Sequence, residues 1–214
     1  MVCLCSSLFF LGLYHFDNKY SQNTIQAANG ILALSENDLK KSPVRFLVSG
    51  WEFYPDALLT PEEIQDSDHY MRYLSIGEMS NFSSSADSSP YGCGTYRMTF
   101  FLPERKEAYA IELPEVFSSY TLYLDHDRIL QLGDPEQRIP LVQNRMVTFY
   151  GGKPVTLTIA VSNYDHFYGG IVYPPAFGTM LAVNTSRGSV LHSACSAAQL
   201  PSSVPCCLFT SVTG

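Results

Sequence analysis

The most regular pattern in the chain is an alternation of apolar and polar residues between positions 92 and 133. In the stretch 95–102, beginning at Tyr96, every second residue is apolar. Successive side chains of a β-strand point to opposite faces of the sheet, so this period of two predicts a strand with one face on a core. The same period recurs at residues 108–113 and 118–124. Because the polar tip at 125–127 then leads into another apolar run, the region is predicted to be a β-meander.

Further strand signals lie on both sides of this meander. They fall at residues 43–55, 70–76, 141–150, 154–161 and 171–177. The stretch 43–55 is predicted to be one long strand. The stretch 171–177 is predicted to lie at a sheet edge, because Pro174 and Pro175 cannot donate ladder hydrogen bonds. A short helical turn is predicted at 61–66, with Thr60 as its N-cap. Without crossover helices between the strands, the pattern favours an all-β fold, an antiparallel two-sheet sandwich of the jelly-roll kind.

The two ends of the chain differ from this central region. Residues 1–16 are apolar and carry no charged side chain, but a helix needs about 20 residues to cross a bilayer. We interpret them as a truncated signal or membrane anchor; the alternative is an apolar segment packed on the domain. Residues 17–29 are read as a linker, residues 30–180 as the sandwich domain, and residues 181–214 as an atypical tail. The tail is either a truncated linker towards a membrane region or the product of a shifted reading frame.

Charge and cysteine usage narrow the class of function. The net charge is -7 and only 15% of the residues are charged, with no basic run, so binding to nucleic acid is not expected. Of the six cysteines, Cys93 and Cys195 are the plausible pair within the domain, and no zinc-binding spacing occurs. We expect free thiols rather than a disulfide.

The sequence contains no recognisable catalytic motif. Its five histidines are scattered outside metal-ligand spacing of one another, and no serine stands in the context of a nucleophile elbow. The chain is therefore expected not to be an enzyme and to need no cofactor. The paired carboxylates Asp125 and Asp127 are interpreted as a polar hairpin tip, with a structural calcium ligand pair as the alternative.

The candidate binding site is the loop SNYDHFYGG at residues 162–170. It combines aromatic rings with amide and carboxylate groups, and its closing glycines permit positive φ and close approach of the backbone. A sugar offers apolar C–H faces and hydroxyl edges, so this composition suits a carbohydrate or another small molecule. The candidate ligand-binding residues are Asn163, Tyr164, Asp165, His166 and Tyr168, with Trp51, Tyr54 and Arg97 as neighbours.

For three of these residues a structural role is the more common one, and both roles stay open. Trp51, the only tryptophan, also suits a core position. Arg97 also suits a solvated strand position or an ion pair, and His166 a position in a surface loop.

Several motifs in a fixed order resemble a known family. They are ANGILAL, SGWEFYPDALLTPEE, GCGTYRMTFFLP, ELPEVFSSYTLYLDHDRILQLG and IAVSNYDHFYGG followed by FGT. Across residues 28–179 they resemble the extracytoplasmic jelly-roll sensory domain of bacterial seven-transmembrane receptors with diverse intracellular signalling modules. The resemblance implies a galactose-binding-like sandwich outside the cell membrane, ahead of a membrane-embedded receptor portion, with sugar binding as its role. There are two departures from the family: the tip at 125–127 usually reads Asn-Gly, and the residues after Thr179 show neither seven apolar spans nor an output domain.

Two other functions stay open. A non-catalytic sandwich can contact a partner ectodomain or a second copy of itself, which makes a homodimer a further expectation. It can also be the sugar-binding accessory domain of a glycosidase. A flat exposed apolar patch would favour a protein partner, and a concave aromatic pocket a small molecule.

Overall fold

The computed structural model describes Ser7 and residues 24–66, 68–77, 82, 89–137 and 139–186. The predicted leader at 1–16 and most of the predicted tail therefore lie outside the described residues, apart from Ser7 and residues 181–186. Among the cysteines, only Cys93 is described. The expectation that Cys195 carries a free thiol therefore also lies outside the described residues. No helix in the described part of the chain is long and apolar enough to cross a membrane.

Two β-sheets face each other and form a sandwich. With strands numbered in chain order, the larger sheet contains β1 (Ile31–Ala33), β3 (Trp51–Pro55), β4 (Arg72–Leu74), β5 (Gly92–Phe101), β7 (Ser119–Leu124), β8 (Asp127–Leu132) and β10 (Val155–Asn163). The smaller sheet contains β2 (Val44–Phe46), β6 (Tyr109–Leu113), β9 (Arg145–Phe149) and β11 (Ala176–Thr179). Short helices α1 (Glu36–Lys41) and α2 (Pro61–Asp66) lie between strands, and residues 180–186 are helical.

The strand order confirms the prediction of an all-β two-sheet sandwich. The larger sheet runs β4-β3-β5-β10-β7-β8, and the smaller one runs β2-β11-β6-β9. All pairs are antiparallel except that β1 pairs parallel with β5. After β5 the chain changes sheet at every connection except one, since β7 and β8 form a hairpin within the larger sheet. The predicted meander at 92–133 is therefore wrong in its middle, because β6 lies in the smaller sheet.

The core lies between the two sheets and is rich in aromatic rings. On β5, the predicted apolar face of Tyr96, Met98 and Phe100 is buried. Phe100 stacks on Phe177 of β11, with ring centroids 5.3 Å apart, and Phe177 in turn stacks on Tyr109 at 5.9 Å. Burying one such side chain stabilises the fold by about 1.5–3 kcal/mol relative to leaving it exposed. The period-two apolar face is thus what joins the sheets.

The predicted long strand at 43–55 is wrong, because this stretch divides into two strands in different sheets. β2 belongs to the smaller sheet and β3 to the larger one. Gly50 lies between them with φ of +80°, a conformation that residues with a Cβ rarely adopt. A Cβ at this position would also lie 2.2 Å from the carbonyl oxygen of Ala27. The glycine therefore provides the turn by which the chain crosses from one sheet to the other.

The edge position predicted for the last strand is also wrong. β11 lies inside the smaller sheet and pairs with β2 on one side and β6 on the other. It begins at Ala176, after Pro174 and Pro175, so neither proline removes a donor from its ladder. The carbonyl of Pro175 even accepts a hydrogen bond from the Leu47 amide at 2.9 Å. The prolines precede the strand and do not interrupt it.

The segment 56–66 lies across the outer face of the larger sheet, and we call it the strap. The Oγ1 of Thr95 on β5 donates to the Ala57 carbonyl at 2.8 Å and accepts from the Leu59 amide at 2.9 Å. At the other end, Glu62 pairs with Nδ1 of His126, in the turn between β7 and β8, at 2.8 Å. The predicted helical turn at 61–66 is confirmed as α2, and Thr60 caps it as expected: its Oγ1 accepts from the Glu63 amide at 3.3 Å.

Buried tyrosines make the fold sensitive to alkali. Burial raises the pKa of Tyr120 to about 12, and it raises that of Tyr96 well above the ordinary 10.0. Groups with a raised pKa in the folded state stabilise it below their unfolded pKa, and this contribution is lost as the pH rises towards the folded value. We therefore expect the free energy of unfolding to fall between about pH 10 and pH 12, as measured by urea unfolding at each pH.

A Tyr120→Phe variant provides the matched test of this alkaline loss. The Tyr120 hydroxyl is buried and has no hydrogen-bond partner among the described residues, so its removal should cost little at neutral pH. The variant should lose less stability than the parent between pH 10 and pH 12. An identical pH dependence in the two proteins would contradict the assignment.

Candidate functional site

The loop that follows β10 is held in place by Asn163, the last residue of that strand. Its Nδ2 donates to the carbonyls of Pro90 and His166, both at 2.7 Å, and its Oδ1 accepts from the His166 amide at 3.2 Å. Only 2% of Asn163 is exposed. The prediction that Asn163 contacts a ligand directly therefore does not fit its position: both amide protons bind backbone carbonyls, and the residue shapes the loop from beneath.

Of the two glycines that close the loop, Gly170 has the positive φ that the sequence permits, and its backbone approaches the core. Gly170 has φ of +79°, and a Cβ there would lie 2.3 Å from the Tyr96 hydroxyl. The backbone of the loop therefore packs directly on the core through Tyr96, and a residue with a side chain would displace it.

His166 lies flat against the ring of Phe117. Their ring centroids are 4.7 Å apart with an interplanar angle of 11°. The Nδ1 of His166 accepts a hydrogen bond from the Tyr168 amide at 3.1 Å, so the neutral imidazole carries its proton on Nε2. Stacking and this hydrogen bond together fix the orientation of the ring within a half-buried surface loop.

Three further rings gather around this pair, and we call the five rings together the aromatic patch. The patch consists of Phe117, His166, Phe167, Tyr168 and Tyr173. Tyr168 lies 5.6 Å from His166 and 6.1 Å from Phe117, and Tyr173 lies 6.3 Å from Phe117 between ring centroids. Phe167 is 72% exposed and Tyr168 52% exposed, which leaves large apolar surface facing water. Tyr164 and Asp165 are exposed beside the patch.

Sequence reasoning did not find Phe117 and Tyr173. Neither lies in the loop motif, and four strands, β7 to β10, lie between Phe117 and His166 in the chain. The register of β7 and β10, which pairs Ser119 with Ser162, brings the two segments together. Phe117 could have been predicted only by knowing that β7 pairs with β10. The spacing of apolar residues along the chain does not reveal which strands pair.

Trp51 lies in the core and not at the loop. It is 0% exposed, its ring meets Tyr96 edge-on at 6.3 Å, and its Nε1 donates to the Leu47 carbonyl at 3.0 Å. No face of the indole is open to a ligand in this structure. The core interpretation accounts for Trp51, and the interpretation as a ligand-binding residue does not fit its position.

Tyr54 and Arg97 come together, but on a different surface from the aromatic patch. Both contact Glu52 of β3: Arg97 Nη1 lies 3.2 Å from Glu52 Oε2, and the Tyr54 hydroxyl donates to the same oxygen at 3.4 Å. Burial, with Glu52 nearby, raises the pKa of Tyr54. This group lies on the outer face of the larger sheet, so the predicted single site divides into two regions.

The acidic hairpin tip shows the geometry of a turn. Asp125 has φ of +54°, which Asp tolerates better than most residues, and its Oδ1 accepts from the Thr156 amide at 2.8 Å. The interpretation as a polar hairpin tip thus fits Asp125. Within the described residues, no group of three or more His, Cys, Asp or Glu side chains is arranged to hold a metal ion.

Comparisons with known proteins find structural likenesses at low sequence identity. No family model and no curated protein matches the sequence. Among solved structures, a glycosyl hydrolase family 2 member from Bacteroides cellulosilyticus DSM 14838 is similar with a TM-score of 0.49 at 12% identity, over 64% of this chain and 20% of that one. A β-glucuronidase 3 from Bacteroides uniformis gives a TM-score of 0.47 at 11% identity, over 65% and 22%.

A third similar structure is a β-glucuronidase from Faecalibacterium prausnitzii, with a TM-score of 0.45 at 15% identity over 64% of this chain and 32% of that one. In all three cases the chain spans less than a third of the other protein. At these identities and TM-scores the likeness carries no argument about activity. The assignment of an all-β sandwich rests on the strand pairing within the chain itself.

Proposed function

We propose that this chain is a non-catalytic carbohydrate-binding β-sandwich that serves as the extracytoplasmic ligand-sensing domain of a membrane receptor. The observation that carries the binding role is the aromatic patch. Its rings are contiguous and two of them are more than half exposed, and a contiguous exposed apolar patch, unlike a single exposed ring, marks an interaction surface.

The chemistry of the patch suits a sugar. Exposed rings can cover the apolar C–H face of a pyranose, while polar groups at their edges bind its hydroxyls. Tyr168 provides a phenol, Asp165 a carboxylate and His166 an Nε2 proton close to the rings. These groups supply the ring faces and the hydrogen-bonding atoms that recognition of a sugar requires.

The receptor role is supported by the ordered motifs across residues 28–179, which resemble sensory domains of this kind. Sugar binding at the patch supports a second candidate function to the same degree, that of the sugar-binding accessory domain of a glycosidase. The patch is also compatible with a protein partner, because exposed aromatic rings are common at protein interfaces. A binding experiment separates the sugar from the protein partner.

Replacement of Tyr168 by alanine is expected to weaken sugar binding about tenfold. The loss of one stacked aromatic contact, about 1.4 kcal/mol, corresponds to that factor. The measurement is a titration of the full chain with glucose, galactose and cellobiose, followed by isothermal calorimetry and by ligand-observed NMR.

The matched control is Tyr150→Ala. Tyr150 is 63% exposed and lies at the opposite end of the larger sheet from Asn163. The neighbouring Gly152 amide donates a hydrogen bond to the Leu102 carbonyl, just after the end of β5. The Tyr150→Ala variant should bind sugar like the parent. Absence of binding by the parent to every sugar, together with capture of a protein partner that Tyr168→Ala abolishes, would replace the sugar proposal by the interaction role.

A further inference from the structure

Three side chains form a row across the outer face of the larger sheet, away from the aromatic patch. In the strand register Glu52 of β3 lies opposite Tyr73 of β4 on one side and Arg97 of β5 on the other. Residues that are directly opposite in adjacent strands share a face, so the three side chains project together. The row spans two strand spacings, about 10 Å.

The carboxylate of Glu52 is held from several sides. Its Oε2 accepts hydrogen bonds from Arg97 Nη1 at 3.2 Å and from the Tyr54 hydroxyl at 3.4 Å. Behind it lies Gly30, whose φ is +75° and where an added Cβ would stand 2.3 Å from Glu52 Oε1. Only a residue without a side chain allows the backbone to approach the carboxylate this closely. The acid is therefore fixed in position before any ligand arrives.

The row remains accessible to solvent. The side chains of Arg97 and Glu52 are 27% and 17% exposed, and Tyr73 is 49% exposed. The guanidinium carries five N–H donors, more than one ion pair with Glu52 uses, and the carboxylate has further lone pairs. Polar groups that are fixed, partly exposed and adjacent to an open aromatic ring have the composition of a binding site rather than of a surface ion pair alone.

The charges select the class of ligand. Glu52 and Arg97 neutralise each other, so the row has no net charge to offer to an anion or a cation, and an ionic ligand would have to compete with the existing pair. A neutral molecule with neighbouring hydroxyls can donate to the carboxylate and accept from the guanidinium without separating them. The ring of Tyr73 can then cover an apolar face of the same molecule.

We propose that Tyr73, Glu52 and Arg97 form a second contact site for a neutral sugar, separate from the aromatic patch. This inference rests on the proposed carbohydrate-binding function. Arg97 pairs in register with Thr158, five residues before Asn163, which corresponds to about 16 Å along the strand. A monosaccharide therefore occupies one site or the other, and the two sites bind independently.

The test compares Tyr73→Ala, Arg97→Gln and Tyr168→Ala in the full chain, with Tyr150→Ala as control. Glucose, galactose and cellobiose are the neutral probes and glucuronate is the charged probe, each titrated by ligand-observed NMR and calorimetry. We expect two binding events in the parent. Tyr73→Ala and Arg97→Gln should each weaken one event at least fivefold, and Tyr168→Ala should weaken the other. Thermal midpoints of all variants verify that they are folded.

The outcomes separate this inference from the proposed function. Sugar binding that Tyr168→Ala abolishes, but that neither Tyr73→Ala nor Arg97→Gln changes, overturns the second site and leaves the aromatic patch. Binding that responds only to Tyr73 and Arg97 supports the second site and removes the patch. Tighter binding of glucuronate than of glucose at the row contradicts its neutral specificity, and no binding of any probe overturns both proposals.

Discussion

Replacement of Trp51 by alanine is expected to lower the free energy of unfolding by about 3–5 kcal/mol. The indole is fully buried between the sheets against Tyr96, so its removal leaves a cavity that the neighbouring strands cannot close. The Leu47 carbonyl also loses its hydrogen bond from Nε1. Urea unfolding at neutral pH measures the change, provided that the slope of the transition is unaltered.

Two further variants distinguish a core residue from a ligand platform. Trp51→Phe keeps most of the apolar volume but leaves the Leu47 carbonyl without its donor, and we expect a smaller loss of about 1–3 kcal/mol. Tyr150→Ala, at an exposed position, should change stability by no more than about 0.5 kcal/mol. Stability unaffected by Trp51→Ala, with sugar binding lost, would show that the indole is a ligand contact after all.

Replacement of Asn163 by alanine is expected to destabilise the protein by about 2–4 kcal/mol and to disorder the aromatic patch. The change leaves the carbonyls of Pro90 and His166 and the His166 amide without their side-chain partner, in a position almost closed to water. Since His166 would no longer be held, its stacking on Phe117 should also weaken. Urea unfolding and the NMR signals of the His166 ring report the two effects.

Asn163→Asp provides a sharper test of the same geometry. It keeps the acceptor for the His166 amide but directs a carboxylate oxygen at the two carbonyls that now accept from Nδ2, which is repulsive. This variant should be at least as unstable as the alanine variant. The exposed Asn144→Ala is the control and should behave like the parent. A stable Asn163→Asp protein with an unchanged patch would contradict the anchoring role.

The sequence pattern predicts the sandwich well because burial of one face imposes a period of two. The face of Tyr96 and Phe100 is buried as the alternation requires, and Arg97 lies on the opposite face as predicted. The errors arise where the chain changes sheet. Around Gly50 the apolar residues continue without a break, so periodicity cannot reveal that β2 and β3 belong to different sheets.

The candidate site is less predictable, because strand pairing decides which residues meet. Phe117 reaches His166 only through the register of β7 and β10, and Tyr54 joins Arg97 through Glu52 on another face. Composition alone also cannot tell a buried indole from an exposed one, so the sequence leaves Trp51 open between the core, where the structure places it, and a ligand-binding surface. The sequence motif therefore predicts the loop at 162–170 but not Phe117 and Tyr173, which join its rings in the aromatic patch.

The order of strands in the larger sheet has a consequence for how the protein is made. Thr99 of β5 and Thr156 of β10 are joined by their hydroxyls although they stand 57 positions apart in the chain. Contacts of such long range slow folding, because closing a long loop costs entropy before any contact rewards it. During synthesis the centre of the sheet must wait until β10 has left the ribosome, and until then β5 presents an unpaired edge to other nascent chains.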